Sequence, residues 1–140
     1  TNTATVSGTG ITPVTAAETV NAEAAPNLAI TKSVSPVPVT ENGTLTYTFR
    51  IQNYGSVAAT NTTGVVITDT FAPVLNNLTA ALNGTAWTAA TDYTYNETTG
   101  TFSSTAGAIT VPAATYTQDS TTGAWVVTPG ESTLVITGTV

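Results

Sequence analysis

The sequence predicts an all-β protein built as an antiparallel β-sandwich, and three observations indicate this. The first is composition: 35 of the 140 residues are threonine, and threonine, like valine, favours strands because its side chain is branched at Cβ. The second is the alternation of apolar and polar residues over several segments, which is typical of strands with one buried face. The third is a set of glycines between these segments, at positions that suit tight hairpin turns.

Three strands are predicted in the first half of the domain, over 27–34, 44–53 and 65–71. In each, the residues at every second position form one mainly apolar face, which we expect to point inward. Two of the inward positions, Lys32 and Asp69, are charged, which makes this pair a candidate for chemistry. The three faces are Leu28, Ile30, Lys32 and Val34; Leu45, Tyr47, Phe49 and Ile51; and Val65, Ile67, Asp69 and Phe71.

The second half of the domain is predicted to consist of short strands joined by hairpin turns. Gly84, Gly100 and Gly123 mark three of these turns, because glycine tolerates the positive φ that such turns require. A last strand is predicted over 132–140. Its inward residues are Leu134, Ile136 and Val140.

Charge and composition exclude several classes of function. The formal net charge is -6, and Lys32 and Arg50 are the only basic residues, whereas binding to nucleic-acid phosphates requires clustered Lys and Arg. The chain has no His and no Cys, which excludes zinc sites, thiol catalysis, Ser-His triads and disulfides. We therefore expect no enzyme, no metal site and no cofactor. No apolar run approaches the roughly 20 residues of a membrane-spanning helix.

Three segments within 27–73 resemble a known family of surface repeats. They read N-L-A-I-T-K-S-V-S-P, G-T-L-T-Y-T-F-R-I-Q-N-Y-G and T-G-V-V-I-T-D-T-F-A-P. They are similar to the Ig-like repeat known as domain of unknown function eleven, found in secreted bacterial and archaeal proteins. The segment G-E-S-T-L-V-I-T-G at 130–138 fits a late strand of that repeat. The resemblance implies an Ig-like β-sandwich in an extracellular, cell-surface protein.

The order of the strands differs from that family in one respect. In the family the late strand is usually followed by a final strand that reads like N-T-A-T-V-S, and here that motif stands at 2–7. We therefore expect residues 1–11 to be a donor strand, 12–26 to be a linker and 27–140 to be the sandwich with inserted hairpins. The inward donor residues are expected to be Asn2, Ala4 and Val6, and the open acceptor edge is expected at Leu134, Ile136 and Val140.

Three arrangements of the N-terminal strand stay open. It adds to the next subunit, as in the donor-strand complementation of pilins, and makes a head-to-tail fibre of identical copies. It folds back onto its own domain. Or the sequence is one repeat of a long tandem polypeptide. The first arrangement is our main hypothesis, and it predicts a structural subunit of an extracellular filament.

An alternative of another class is a monomeric adhesin or carbohydrate-binding module. Aromatic side chains in the hairpins between 76 and 129 could stack on sugar rings, although aromatic residues at two-residue spacing more often pack across strands. These residues are Trp87, Tyr93, Tyr95, Tyr116 and Trp125.

Lys32, Asp69 and Asn2 form the candidate reactive site. If the first three strands of the sandwich pair in sequence order, their register places Lys32 and Asp69 level with residues 45–47 of the second strand. Asn2 would face them from the donor strand. This set of residues resembles the self-catalysed isopeptide site of Gram-positive pilins and adhesins.

The resemblance implies a covalent reaction between these side chains. A neutral Lys32 would attack the side-chain amide of Asn2, while a protonated Asp69 polarises the carbonyl and ammonia leaves. A buried Lys32–Asp69 ion pair, with Asn2 hydrogen-bonded nearby, is the non-covalent interpretation, and both stay open. Asn53 is a further acceptor candidate, but it lies too far along its strand and is expected to cap the turn at 53–55.

Glycan attachment is a separate hypothesis. The chain contains five sequons of the form N-x-S/T, which is a small excess over the number expected by chance. Their asparagines are Asn42, Asn61, Asn77, Asn83 and Asn96.

Overall fold

The structure, a computed structural model, describes residues 1–19 and 24–140. It is all-β and sandwich-like, as the sequence predicts, and the one helical element among the described residues is a 3₁₀ turn at Asn61–Thr63. The strands are β1 (Asn2–Gly8), β2 (Ile11–Glu18), β3 (Leu28–Ser35), β4 (Thr44–Asn53), β5 (Thr68–Thr70), β6 (Asn76–Leu82), β7 (Thr85–Ala86), β8 (Tyr93–Asn96), β9 (Thr101–Ser104), β10 (Thr115–Gln118), β11 (Trp125–Thr128) and β12 (Gly130–Thr139).

Five strands form the larger sheet, in the order β3-β4-β12-β6-β7. All four neighbouring pairs are antiparallel. The strand β4 has the predicted bounds and lies between β3 and β12, so that Ile51 stands opposite Ile30 on one side and Ser132 on the other. Its alternate apolar residues are buried, because that face points into the sandwich.

Three strands, in the order β5-β9-β8, form the facing sheet. Aromatic rings fill the space between the layers: the ring centroids of Phe71 and Tyr47 are 4.7 Å apart, and those of Tyr93 and Phe102 are 5.4 Å apart. The largest fully buried apolar side chains are Phe71, Phe102, Leu75, Ile109, Leu134, Ile136 and Val111.

The predicted acceptor edge is wrong. The strand β12 is not at an edge, because it pairs with β4 on one side and with β6 on the other. Leu134 and Ile136 are fully buried in the core, and Val140 is partly buried against it. Alternation alone does not distinguish a central strand from an edge strand, since both turn one apolar face inward.

The predicted linker is also wrong over part of its length. Residues Ile11–Glu18 form β2, which pairs antiparallel with β1 from Asn2 opposite Glu18 to Gly8 opposite Ile11. The N-terminal region is therefore a β-hairpin, which we call the N-terminal hairpin (β1 and β2). Residues 20–23 of the predicted linker lie outside the described residues.

The predicted hairpin turns are present, and two of them share one design. In the β8–β9 turn the Oδ1 atom of Asn96 accepts the backbone N–H groups of the second and third residues that follow it, and Asp119 does the same in the β10–β11 turn. Gly100 and Gly123 close these turns at φ of 74° and 71°. The two N–H donors also lower the pKa of the Asp119 carboxyl below its ordinary value.

Candidate functional site

The inner face of β3 lacks the cover that the rest of the larger sheet has. The cross-strand pairs of Ile30 with Ile51 and of Lys32 with Phe49 place these residues on the same inward face. On β4 that face is buried, whereas on β3 Ile30 is 54% exposed and Leu28 and Val34 are also exposed. Five strands thus face three, and the layer above β3 is incomplete.

An apolar groove follows from this incomplete layer. It has a volume of about 170 Å³ and lies between β3 and the segment that leads into β5. We call it the β3–β5 groove, and it is lined by Leu28, Ala29, Ile30, Ile51, Val65, Val66 and Ile67.

Lys32 and Asp69 lie next to this groove and form an ion pair. The pairing was predicted from the alternation together with an assumed strand register, and the structure brings the two residues together. The Lys32 ammonium also lies 4.9 Å from the ring centroid of Tyr47, 5.5 Å from that of Phe49 and 5.4 Å from that of Phe71. Aromatic faces attract cations, so the ammonium is held by one carboxylate and three rings.

The route by which the sequence predicted this contact is wrong in two respects. Lys32 stands opposite Phe49 and not level with residues 45–47. Asp69 belongs to the facing sheet, where it pairs with Phe102 of β9, and β5 does not pair with β4. The contact was still predicted correctly, because each residue was expected to point inward. Two inward side chains on facing sheets can meet across the sandwich.

The ion pair is more open to solvent than the predicted buried pair. The side chain of Lys32 is 41% exposed and that of Asp69 is 19% exposed. Lys32 belongs to β3, the strand over which the second layer is incomplete.

The third member of the predicted site lies elsewhere. Asn2 is exposed at the start of β1, opposite Glu18, and no hydrogen bond joins it to Lys32 or Asp69 in the part of the chain that the structure describes. Ala4 and Val6 are exposed as well.

Asn53 has the predicted structural role. Its Oδ1 atom accepts the backbone N–H groups of Asn27 and Gly55, and its Nδ2 atom donates to the carbonyls of Val57 and Pro112, all at 2.8–3.0 Å. The side chain is fully buried with all its hydrogen-bonding capacity used. It therefore fixes the turn after β4 and the start of β3.

Sequence reasoning missed a second apolar segment in the N-terminal region. Val14 of β2 stands opposite Val6, and Ile11 stands opposite Gly8. Val6 and Val14 are each 64% exposed and Ile11 is 55% exposed. Two sequence signals could have predicted β2. Apolar Val14 and Ala16 alternate with polar Thr15, and the preceding G-T-G segment contains glycines that favour a turn.

The candidate sugar-binding aromatic residues divide into two groups. Tyr93 is buried, and its ring packs against those of Phe102 and Trp87, with centroids 5.4 and 6.5 Å away. The hydroxyl of Tyr95 is engaged with the backbone of Leu75. Tyr116 and Trp125, in contrast, are exposed on the β10–β11 hairpin.

All five sequon asparagines are exposed. Two of them have structural roles, since Asn96 closes the β8–β9 turn, while Asn83 accepts the N–H of Thr133 and donates to the hydroxyl of Ser132.

Comparison of the chain with models of protein families, with curated proteins and with solved structures gives no match. Across the described residues, no helix has the length and apolar character needed to span a membrane.

Replacing Lys32 with methionine tests whether the Lys32–Asp69 ion pair is partly exposed to solvent or fully buried. Methionine keeps most of the apolar stem and removes the charge, so we expect the free energy of unfolding to fall by about 1 kcal/mol, as for a partly exposed pair. Urea unfolding measures this change. The double variant Lys32→Met with Asp69→Asn should recover most of the loss, because no unpaired carboxylate remains.

A loss above about 3 kcal/mol for Lys32→Met alone would contradict this description, because losses of that size are typical of fully buried pairs.

Proposed function

We propose that the protein is a structural subunit of an extracellular filament, and that the N-terminal region of one copy fills the β3–β5 groove of the next. The observation that supports this most strongly is a match between two exposed surfaces of the same chain. The groove presents apolar side chains beside an ion pair, and β1 presents Ala4 and Val6 beside Asn2, at the same two-residue spacing.

The hydrophobic effect supplies the driving force for this contact. Exposed apolar residues on the hairpin and on β3 would leave water together, at about 25 cal/mol for each Å² of apolar surface removed. The contact joins two different surfaces, so it is heterologous, and a heterologous contact that does not close into a ring makes a filament of unlimited length. This is the property expected of a pilus-like fibre in surface adhesion or biofilm formation.

Burial in the filament would also change the chemistry of Lys32. A strand laid over the ion pair excludes water, which favours the neutral forms of both groups, a free amine and a protonated carboxyl. If Asn2 faces them, the Lys32 Nζ atom attacks the side-chain carbonyl carbon of Asn2. A new C–N bond forms, the bond to the amide nitrogen breaks, and ammonia leaves with the protons that Asp69 relays. The bond would join consecutive subunits covalently.

The first test is a charge on the inward face of β1. Val6→Asp would bury an unpaired carboxylate in the groove, so we expect the polymerised fraction to fall at least about tenfold. Electron microscopy and size-exclusion chromatography measure it. The matched control is Thr5→Asp, which places the same charge on the opposite face of β1 and should leave the filaments unchanged.

Filaments of Val6→Asp that match those of the unmodified chain would contradict the proposal. So would an unmodified chain that stays monomeric at high concentration, because this is the behaviour of a hairpin folded back onto its own domain.

The covalent part is tested by boiling native filaments in SDS before electrophoresis and mass spectrometry. We expect a ladder of multimers and a Lys32 peptide joined to an Asn2 peptide with the loss of one ammonia. The variants Lys32→Arg and Asn2→Ala should each give a single band near 14.1 kDa. A single band from the unmodified filaments would contradict the bond and leave the non-covalent contact in place.

A second candidate function is glycan binding on the β10–β11 hairpin. Tyr116 stands opposite Val127, and Trp125 stands opposite Gln118, so both rings lie on one face of the hairpin. The Tyr116 hydroxyl donates to the Tyr54 carbonyl at 2.5 Å, which fixes this ring in position. Trp125 is 65% exposed, an arrangement suited to stacking on a sugar.

Calorimetry with a panel of oligosaccharides tests this candidate. Trp125→Ala should weaken binding at least about tenfold, whereas Val126→Ala, on the opposite face, should not change it. Equal affinities of the two variants would exclude this platform.

A further inference from the structure

The N-terminal hairpin has one apolar face that spans both of its strands. Residues directly opposite each other in an antiparallel pair point to the same side, so Val6 and Val14 share a face, as do Ala4 and Ala16. Ile11 belongs to this face too, because a Cβ atom added at Gly8 would lie 3.3 Å from the Ile11 Cδ1 atom. The opposite face carries Thr3, Thr5, Thr15 and Ala17.

This apolar face is exposed along both strands. Val6, Ile11 and Val14 are all more than half exposed. An isolated two-stranded hairpin is at best marginally stable in water and needs a further layer or a neighbouring strand. If β1 alone entered the groove, Val14 and Ile11 would have no partner, because they belong to the second strand.

The position of the groove sets the direction of the incoming strand. The groove lies beside residues 28–30 of β3 and 65–67 before β5, in both cases on the N-terminal side of Lys32 and Asp69. A strand that starts with Asn2 at the ion pair must therefore run antiparallel to β3 and β5 to bring Ala4 and Val6 into the groove.

The direction of the uncovered side chains selects the edge to which the strand adds. Leu28 and Ile30 point across the sandwich, so a strand added beside β3 in the same sheet would not cover them. A strand that continues the facing sheet beyond β5 would cover them. Val65 and Ile67 direct backbone groups towards the β9 side, to Gly107 and Ser104, and by alternation Val66 directs its groups to the free edge.

We propose that the donated unit is the whole N-terminal hairpin, which extends the three-stranded sheet from the free edge of β5 with β1 innermost. This rests on the proposed function and names the form of the partner: a two-stranded, amphipathic hairpin of a second copy. The facing sheet then has five strands, the same number as the larger sheet.

The length of the connecting chain sets an upper limit on the spacing of consecutive subunits in this arrangement. Glu18 pairs with Asn2, so the end of β2 lies beside the acceptor's ion pair. Nine Cα–Cα steps separate Glu18 from Asn27 of the donor, and fully extended they reach about 31 Å. The start of the donor's β3 therefore lies within that distance of the acceptor's ion pair, which makes consecutive subunits close neighbours.

The test compares charges on the two faces of β2 in the full chain. Val14→Asp should lower the polymerised fraction at least about tenfold, because the carboxylate would be buried against the acceptor. Thr15→Asp, one residue away on the opposite face, should polymerise like the unmodified chain. Circular dichroism should show both variants folded, since β2 lies outside the core of the sandwich.

If Val14→Asp formed normal filaments, the proposal that the donor is the whole two-stranded hairpin would be wrong. If Val6→Asp still failed to polymerise in the same experiment, β1 alone would be the donated strand. The proposed function would then hold, and only the two-stranded form of the donor would be excluded.

Amide hydrogen exchange tests whether β1 adds to the free edge of β5. The comparison is between filaments of the unmodified chain and the monomeric Val6→Asp chain. The amides of Val66 and Thr68 should become protected in the filament at least about tenfold, because they would donate to β1. Protection of the Ile30 and Lys32 amides without that of Val66 and Thr68 would overturn the assignment, because it would place the added strand beside β3.

Discussion

The packing of this β-sandwich depends on one constraint: a sheet face that carries apolar side chains needs a second layer over it. In the described part of the chain the larger sheet has five strands and the facing sheet has three. The mismatch is concentrated at β3, where Leu28 and Ile30 point inward but remain exposed. The same chain carries a hairpin whose own apolar face is exposed. In our proposal, assembly between copies would bury both of these apolar faces at once.

The position of Lys32 connects this packing problem to chemistry. With the layer open, the ammonium lies between Asp69 and three aromatic rings and is still reached by water, so an ordinary ion pair is the stable arrangement. Covering the pair removes the water that supports the charges. The ion pair then has to find further partners or lose its charge, and a side-chain amide on the covering strand can serve in either case. In our proposal assembly would therefore trigger the reaction, and free subunits would not react.

Alternation predicted the inward faces of β3 and β4 and the inward orientation of Lys32 and Asp69, because a period of two is set by local backbone geometry. The role of Asn53 in the turn at 53–55 was predicted separately, because an Asn two residues before a glycine is a local turn signal. Alternation could not place β12 in the centre of its sheet, because that position depends on β6, more than 50 residues away. It missed β2, whose small residues give a weak pattern, and with it half of the apolar face that the N-terminal hairpin presents.

The measurement that tests the central claim most directly is the mixing of two complementary variants. Val6→Asp impairs the donor but keeps the groove, and Ile30→Asp impairs the groove but keeps the hairpin; Ile30 is exposed, so the second variant should fold. Each variant alone should be monomeric. An equal mixture should give dimers that grow no further, because one donor and one acceptor match and the other two are blocked. Light scattering that finds only monomers in the mixture, or filaments of either variant alone, would contradict the account.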